Sequence, residues 1–309
     1  MPSTLSIGIV GFGRMGQEHA RHIEESTEMR VAVVVEPMEE NFERISRSFI
    51  DSEVRLFTEL ADAISLEQVD GWIISSPTSS HVQSARILLE AGQRVMLEKP
   101  IAESLENAKL LQDLVRADSA NLMMGHILLW SPEFQELRNK VQPRGAIREI
   151  KTLRQRSQSH RIDYPNESLF SLLMVHDLYC IQALTLGKEP LKFVGRTRNH
   201  QAGGIDFASA ELVWADSTVA TAKANYFLAN DPPGLIDDEI SVRGDDWSEF
   251  VHFRGNFAQA LRNEHAHFAE LLRGEVAVPI GARYQDALQI QGWVDALISS
   301  AAVGNYEGE

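Results

Sequence analysis

The stretch that decides the fold is "LSIGIVGFGRMG", residues 5–16. It opens as a short apolar run and continues with Gly11, Gly13 and Gly16 in the spacing G-x-G-x-x-G. The first glycine of this pattern permits a tight turn, the second admits a pyrophosphate close to the backbone, and the third lets a helix pack closely on the strand. The stretch therefore predicts a strand, a turn and a helix whose N-terminus holds the pyrophosphate of a dinucleotide.

Glu36 lies at the end of the next predicted strand, about 20 residues further on, where such a fingerprint carries an acidic residue. A carboxylate there accepts hydrogen bonds from the adenosine ribose and repels a 2′-phosphate. No Arg or Lys follows it at once, because the chain continues "PMEEN". We therefore expect NAD as the cofactor, with NADP less favoured. The alternatives are a glycine turn without a ligand and a solvated carboxylate at a strand end.

Short apolar runs alternate with helical patterns through residue 125. The predicted strands are Leu5–Val10, Arg30–Glu36, Val54–Phe57, Val69–Ser75, Arg94–Glu98 and Asn121–Gly125, with helices such as Gly13–Ser26, Ser79–Ala91 and Ser104–Ala117 between them. Apolar strands separated by helices are typical of βαβ units and of a parallel sheet covered on both faces. We predict the α/β class, with a doubly wound, dinucleotide-binding domain over residues 1–125.

The pattern changes after residue 130, and 309 residues exceed the usual size of one domain. A helix (Pro132–Val141), a charged strand (Ala146–Arg156), a loop and an apolar helix (Leu169–Leu186) are followed by alternating runs at 191–199, 205–215, 217–228 and 236–243, and by helices over 257–273 and 283–302. We predict a second, α+β domain over residues 126–309, with a large open and mostly antiparallel sheet that binds substrate and forms an oligomer.

Composition excludes several classes of partner. The formal charge of -15 opposes binding to nucleic acid or to an anionic membrane. Cys180 is the only cysteine, which excludes an internal disulfide, and His265 and His267 diverge on their helix, so we expect no metal site. No apolar run reaches the roughly 18 residues of a membrane span, and no signal-peptide pattern opens the chain. We expect a cytoplasmic protein.

A second informative stretch is "RVMLEKPIAES", residues 94–104, in which an apolar strand runs directly into Glu98, Lys99 and Pro100. Ligands of open parallel sheets bind beyond the carboxyl ends of the strands. Proline restricts the residue before it to extended geometry, and successive extended side chains point to opposite sides. We expect one of Glu98 and Lys99 to face the cofactor and the other to make supporting contacts; a surface lysine in a loop is the alternative.

The ordered motifs "GFGRMG", "SSPTSSH" (75–81), "EKP" (98–100), "GHILLWSPEF" (125–134) and "LMVHDLY" (173–179) resemble the glucose–fructose oxidoreductase, inositol dehydrogenase and rhizopine-catabolism (Gfo/Idh/MocA) family. The resemblance covers essentially the whole length. It implies a Rossmann domain followed by an α/β domain with an open sheet. It also implies hydride transfer between NAD(P) and a sugar, polyol or related hydroxy or keto compound.

The resemblance also implies roles for single residues. Lys99 would contact the reacting oxygen as a proton shuttle or carbonyl polariser, with His176 as the second catalytic residue. The cofactor would be bound by Gly11, Phe12, Gly13, Arg14, Met15, Gly16, Glu36, Ser76, Pro77, His81, Glu98 and Lys99. Substrate contacts are expected from His126, Arg156, His160, Tyr164 and His176, and the loop residues Arg161 and Asp163 lie beside them. For the loop residues, simple exposure to solvent is the alternative.

Two positions depart from the family. Leu172 stands where many members carry an aspartate four residues before the histidine, and Leu129 replaces an arginine. Without the acid the usual proton relay is in question, and Asp177 is about 100° round the helix from His176. In reduction, a charged Lys99 can polarise a carbonyl without help. In oxidation, Lys99 must act as a base near neutrality, and its pKa must then fall from ~10.4 to about 7–8, so reduction is slightly favoured. A buried core histidine at 176, and a catalytically inactive dinucleotide-binding sensor or regulator, remain the alternatives.

The second sheet also predicts an oligomer. One face of two neighbouring strands carries Ala208, Ala210, Leu212 and Trp214, and Ala220, Ala222, Ala224 and Tyr226. The opposite faces are also partly apolar, although an antiparallel sheet usually leaves one face polar. We expect a homodimer or homotetramer that forms through rows of alanine in this sheet. The alternative is that helices of the same chain cover both faces.

Overall fold

The computed structural model describes residues 3–49, 53–163, 167–199, 204–230, 236–253, 255 and 257–303. The chain divides into two compact units: Met1–Ile127 with Ala258–Leu288, and Leu128–Phe257 with Gln289–Glu309. The predicted boundary at 125/126 lies close to the first change of unit. Residues 258–288, which the sequence assigned to the second domain, group with the first unit instead.

The first unit is built on a six-stranded parallel sheet with the strand order β3-β2-β1-β4-β5-β6. Its strands are β1 (Leu5–Val10), β2 (Met29–Val35), β3 (Arg55–Phe57), β4 (Gly71–Ile74), β5 (Val95–Glu98) and β6 (Leu122–Gly125). The central strands are buried, as continuous apolar runs require in a sheet covered on both faces. This order is that of a doubly wound dinucleotide-binding sheet, which confirms the predicted fold class.

Helices fill the connections of this sheet. They are α1 (Arg14–Glu24), α2 (Phe42–Arg47), α3 (Leu60–Leu66), α4 (Thr78–Glu90) and α5 (Leu105–Lys109). The predicted helix Ser104–Ala117 is much shorter in the structure. Beyond Lys109 several N–H groups bond to the carbonyl three residues earlier, as Gln112 does to Lys109 and Leu114 to Leu111, so the chain continues as tight turns.

The second unit carries a six-stranded sheet with the order β12-β11-β7-β10-β9-β8. Its strands are β7 (Glu149–Ser157), β8 (Lys192–Asn199), β9 (Ile205–Val213), β10 (Val219–Leu228), β11 (Asp237–Arg243) and β12 (Ser248–Phe253). Only the β7–β10 pair is parallel, so the sheet is mostly antiparallel, as predicted. The sequence had given no strand over β12.

The helices that remain are α6 (Pro132–Val141), α7 (Gln158–Asp163), α8 (Val175–Leu184), α9 (Phe257–Arg273) and α10 (Tyr284–Val303). Helix α7 lies where the sequence predicted a loop. A π-helical turn, Phe170–Met174, precedes α8 where one continuous α-helix was predicted. Among the described helices, none combines the length and apolarity that crossing a membrane requires.

The alanine rows of β9 and β10 are buried within the chain itself. A Cβ atom on Gly195 of β8 would lie 2.2 Å from the carbonyl oxygen of Leu297, so the backbone of α10 lies directly on this sheet. Trp214 also meets Trp293 of α10 edge to face. The prediction that these alanines form an oligomer surface is therefore wrong, because the chain's own helices cover them: α10 lies over β8 and the end of β9, and α8 with the π-helical turn lies over β10.

The opposite face of the sheet is the more open one. Phe207 and Phe227 stack with ring centroids 6.1 Å apart, and the Arg198 guanidinium lies 5.0 Å from the Phe227 ring centroid. Phe227 is 48% exposed, and Phe250 of β12 is also exposed.

Candidate functional site

The glycine loop between β1 and α1 has the shape of a phosphate cradle. Gly11 has a φ of 85°, and a Cβ there would lie 2.6 Å from Ser76 Cα. A Cβ on Gly16 would lie 2.2 Å from the Gly11 carbonyl oxygen, so both positions need glycine. Gly13, the N-cap of α1, has open space at its Cβ position and no side-chain cap. The first N–H groups of α1 therefore suit an anionic ligand, and the loop fits a pyrophosphate.

Residues beside this loop have distinct positions. The Phe12 ring is buried against Phe49, so Phe12 offers a ligand its backbone only. Arg14 is exposed and Met15 is half-buried. The Glu36 carboxylate accepts hydrogen bonds from Phe12 N at 3.2 Å and Asn41 Nδ2 at 3.1 Å, which fixes it against the loop. The sequence had overlooked one cation here, since Arg44 Nη2 lies 3.4 Å from the Phe12 carbonyl oxygen.

The loop after β4 is tied to the glycine loop and to the segment after β5. Ser75 Oγ donates to the Gly11 carbonyl oxygen at 2.9 Å, and Ser80 Oγ donates to Ser76 Oγ at 2.7 Å. Pro77 is the N-cap of α4. The His81 ring is buried, with Nδ1 2.8 Å from the Pro100 carbonyl oxygen and Nε2 2.8 Å from that of Ser76. His81 thus joins two loops at the carboxyl edge of the sheet.

The EKP segment divides its two charges between the interior and the sheet edge. Glu98 is buried and accepts hydrogen bonds from His19 Nε2 at 2.9 Å and from the Lys99 backbone N–H at 3.2 Å. Burial opposes its charge, but the His19 hydrogen bond and nearby positive charge lower the pKa of Glu98. Lys99 is half-buried, and the Lys99–Pro100 peptide bond is cis. Of the two side chains, Glu98 makes the supporting contacts.

His126 follows β6 at the same edge. Its Nδ1 lies 2.6 Å from the Gly281 carbonyl oxygen, which can only accept, so Nδ1 carries the proton. Burial lowers the pKa of His126 to about 4. The ring is therefore neutral at pH 7, with Nε2 as a hydrogen-bond acceptor.

In the second unit, His176 lies half-buried on α8 with a tyrosine as its hydrogen-bond partner. Its Nδ1 is 2.8 Å from Tyr179 Oη, which also accepts the Leu128 N–H at 3.0 Å. Leu172 lies in the π-helical turn, where hydrogen bonds span five residues rather than four. The α-helical spacing that put residue 172 on the same face as His176 therefore does not apply. Tyr179 is the side chain that orients this histidine.

A buried ion network lies under α8. Arg154 of β7 donates to Asp177 from Nε and Nη2, each at 3.0 Å, and to Asp238 from Nη1 at 2.6 Å. Burial opposes the charge of Arg154, but the two carboxylates raise its pKa. Arg156, predicted to contact substrate, donates two hydrogen bonds to Asp238. The sequence did not single out Arg154 or Asp238, although arginines two apart share one face of a strand.

The remaining predicted site residues that the structure describes lie on α7. His160 is half-buried, with its ring centroid 6.0 Å from that of Tyr226. Arg161 is half-buried, while Tyr164 and the side chain of Asp163 lie outside the described residues. Within the part of the chain that the structure describes, no group of three or more His, Cys, Asp or Glu side chains is placed to hold a metal ion.

Comparison with known proteins supports this picture. Residues 5–126 match the Gfo/Idh/MocA family, described as an oxidoreductase family with an NAD-binding Rossmann fold. The rhizopine catabolism protein MocA of Rhizobium meliloti is 29% identical over 136 residues, 44% of this chain and 41% of that protein. Inositol 2-dehydrogenase of Rhizobium meliloti (strain 1021) is 28% identical over 193 residues, 61% of this chain and 57% of that protein. The matches span about half the length of these curated relatives.

A solved structure has the same fold over nearly the whole chain. It is scyllo-inositol dehydrogenase from Lactobacillus casei with bound NAD(H) and scyllo-inositol, with a TM-score of 0.84 and 21% identity. The match covers 97% of this chain and 98% of that one. Together with the glycine loop and the strand order, this match identifies residues 5–126 as an NAD-binding Rossmann fold similar to that of the Gfo/Idh/MocA oxidoreductase family.

Proposed function

We propose that the protein is an NAD-dependent oxidoreductase that moves a hydride between nicotinamide and a carbon of a polyol or a related hydroxy or keto compound. The observation that carries the proposal is Lys99, held at the carboxyl edge of the sheet that also presents the glycine loop. The similarity to inositol 2-dehydrogenase and to the inositol-bound Lactobacillus casei enzyme supports a polyol as substrate.

The residues that would hold the cofactor come from the first unit. The backbone of Gly11 and Gly13 and the N-terminus of α1 would bind the pyrophosphate, and Glu36 would accept hydrogen bonds from the ribose. NAD, when bound, supplies the hydride acceptor and NADH the donor. The Glu36 carboxylate would repel the extra phosphate of NADP, so NAD is preferred despite Arg44 at the loop.

Lys99 would move the proton. In oxidation it takes the hydroxyl proton as the hydride leaves the carbon, and in reduction its ammonium group polarises the carbonyl and then donates the proton. The buried Glu98 carboxylate attracts the positive charge of Lys99, and a charged ammonium group suits reduction. His126, neutral with Nε2 as acceptor, and His176, oriented by Tyr179, are the further candidates for contacts with substrate hydroxyls.

A second candidate function is a dinucleotide-binding sensor without catalysis. Leu172 replaces the acid of the family, and Leu129 is buried in the core, so neither supplies a polar contact to substrate. The two functions separate in one experiment: a panel of polyols and aldoses with NAD, and keto compounds with NADH, followed by NADH absorbance. Turnover supports the enzyme. Tight binding of NAD with no turnover anywhere in the panel supports the sensor.

We also propose a homodimer or homotetramer that forms through the open face of the second sheet. The exposed Phe227 and Phe250, with Arg198 over the stacked rings, give this face apolar area and a cation. Light scattering tests the proposal: a monomer mass at micromolar concentration would contradict it. Phe227→Arg should dissociate the oligomer, whereas Ala222→Arg would place a charge in the buried core of the second unit.

A further inference from the structure

Three buried histidines, from three helices of the first unit, are linked by hydrogen bonds to the segment that carries Lys99: His19 and His81 directly, and His265 through His19. His19 lies on α1, His81 on α4 and His265 on α9, and each is at most 2% exposed. Sequence analysis assigned no role to His19 and noted His265 only as a residue without metal-ligand spacing. None of the three is exposed enough to act on a substrate from bulk solvent.

His19 fixes the residue before Lys99. Its Nε2 lies 2.9 Å from Glu98 Oε1, and Glu98 Oε2 accepts the Lys99 backbone N–H at 3.2 Å. A carboxylate can only accept hydrogen bonds, so His19 Nε2–H and the Lys99 backbone N–H are both donors to Glu98. The facing Gly125 leaves room for this carboxylate, because a Cβ atom on residue 125 would lie 3.3 Å from Glu98 Cδ.

His265 sets the direction of the chain of hydrogen bonds. Its Nε2 is 2.8 Å from His19 Nδ1, and its Nδ1 has no hydrogen-bond partner among the described residues. If Nε2 carries the proton, the buried atom left without a hydrogen bond is the unprotonated Nδ1. If Nδ1 carries the proton, a buried N–H donor is left without an acceptor, which is rarer in proteins. His265 therefore donates to His19, which keeps Nδ1 of His19 as acceptor and Nε2 as donor to Glu98.

His81 holds the other side of Lys99. Its two nitrogens each lie 2.8 Å from a carbonyl oxygen, that of Pro100 and that of Ser76. A neutral ring donates to one of these carbonyls, and an imidazolium donates to both. Through this ring the EKP segment is tied to the loop after β4.

We propose that His19, His81 and His265 are positioning residues of Lys99, which act through Glu98 and through the Pro100 carbonyl. The proposal rests on the proposed function for the part that concerns turnover. Lysine has a long flexible side chain, so fixing its backbone on both sides limits where its ammonium group can reach. Misplacing a reacting group by about 1 Å can lower a rate by about 10²-fold.

The test compares matched pairs of variants at His19 and His265. Leucine removes the hydrogen bonds, while glutamine keeps an amide near the position of Nε2. His22→Leu is the control, since His22 is buried on the same helix and bonds to Glu25 rather than to the EKP segment. The readouts are kcat, KM, the Kd for NAD, and hydrogen exchange of the Lys99 amide in the protein without cofactor.

We expect His265→Leu and His19→Leu to lower kcat by about tenfold or more, with the Kd for NAD within about twofold. In these leucine variants, hydrogen exchange of the Lys99 amide should be about tenfold faster, because His19 no longer holds the Glu98 carboxylate. In the glutamine variants, kcat and the exchange rate should stay close to the wild-type values. His81→Leu should also speed this exchange.

Leucine variants that match His22→Leu in both kcat and Lys99 exchange would overturn the proposal. If a leucine variant fails to fold, the asparagine variant at the same position decides, because the asparagine amide is too short to reach the position of Nε2: slower turnover than His22→Asn with faster Lys99 exchange supports the proposal, and unchanged values refute it. If the wild type turns over no substrate, the proposed function fails. The exchange measurement then still decides whether these histidines hold the Lys99 backbone.

Discussion

Arg154→Met should destabilise the protein by about 3–5 kcal/mol, the range found when one partner of a buried ion pair is removed. Arg154 is 1% exposed, and the two carboxylates that it joins, Asp177 and Asp238, are fully buried. Asp238 keeps two hydrogen bonds from Arg156. Asp177 has no second cation bonded to it among the described residues, so the substitution leaves mainly the Asp177 carboxylate without a counter-ion.

The magnitude follows from the protonation of Asp177. A buried carboxylate without a counter-ion takes up a proton, and protonating a carboxyl of ordinary pKa ~3.9 at pH 7 costs about 4 kcal/mol. In the variant, burial raises the folded pKa of Asp177 above its unfolded value. The folded state then binds more protons than the unfolded state, so stability is regained as pH falls. At pH 5 the same calculation gives a destabilisation of the variant of about 1.5 kcal/mol.

Urea unfolding at pH 7 and pH 5, followed by circular dichroism, measures both values. Arg154→Met with Asp177→Asn should recover most of the loss at pH 7, because no buried charge remains unpaired at residue 177. Arg148→Met is the control: Arg148 also pairs with one carboxylate through two nitrogens, but on the surface, and its loss should change stability little. An Arg154→Met variant within about 1 kcal/mol of the wild type at pH 7 would refute the reasoning.

Three further predictions concern the site. Glu36→Ala should narrow the difference in Kd between NADH and NADPH, measured by calorimetry; tighter binding of NADPH by the wild type would contradict the cofactor assignment. Leu172→Asp should lower thermal stability and leave the pH profile of polyol oxidation unchanged, because the π-helical turn takes residue 172 off the face of His176; a shifted pH profile would contradict this geometry. The pKa of His126 is about 4 in the folded state and 6.5 in the unfolded state, so below pH 6.5 the unfolded state binds more protons than the folded state. The wild type should therefore lose about 2 kcal/mol from this group between pH 7 and pH 5, a loss that His126→Gln removes in urea titrations.

The sequence predicted the first unit well because its signals are local. Strand β1 was placed at its observed bounds, Leu5–Val10, and of the two charged residues after β5 the structure shows Glu98 making supporting contacts. The glycine spacing could be interpreted for the same reason: Gly16 packs against the Gly11 carbonyl oxygen within one turn, although Gly11 also meets Ser76 from a distant segment.

The features that escaped prediction depend on contacts between distant segments. His19 and Glu98 are separated by 79 positions and His19 and His265 by 246, and no periodicity marks such pairs. The alanine rows were assigned to the correct faces of β9 and β10, but which face α10 covers is decided by tertiary packing. The π-helical turn before His176 likewise carries no pattern that distinguishes it from α-helix.

The measurement that tests the central claim most directly is single-turnover formation of NADH from a polyol, with wild type and Lys99→Met compared at saturating NAD. We predict that the wild type forms NADH and that Lys99→Met does so about 10²-fold more slowly, the scale for losing a positioned acid or base, with the Kd for NAD within a few-fold. Equal rates for the two proteins would contradict the role of Lys99, and a wild type that binds NAD yet forms no NADH from any polyol would contradict the proposed activity.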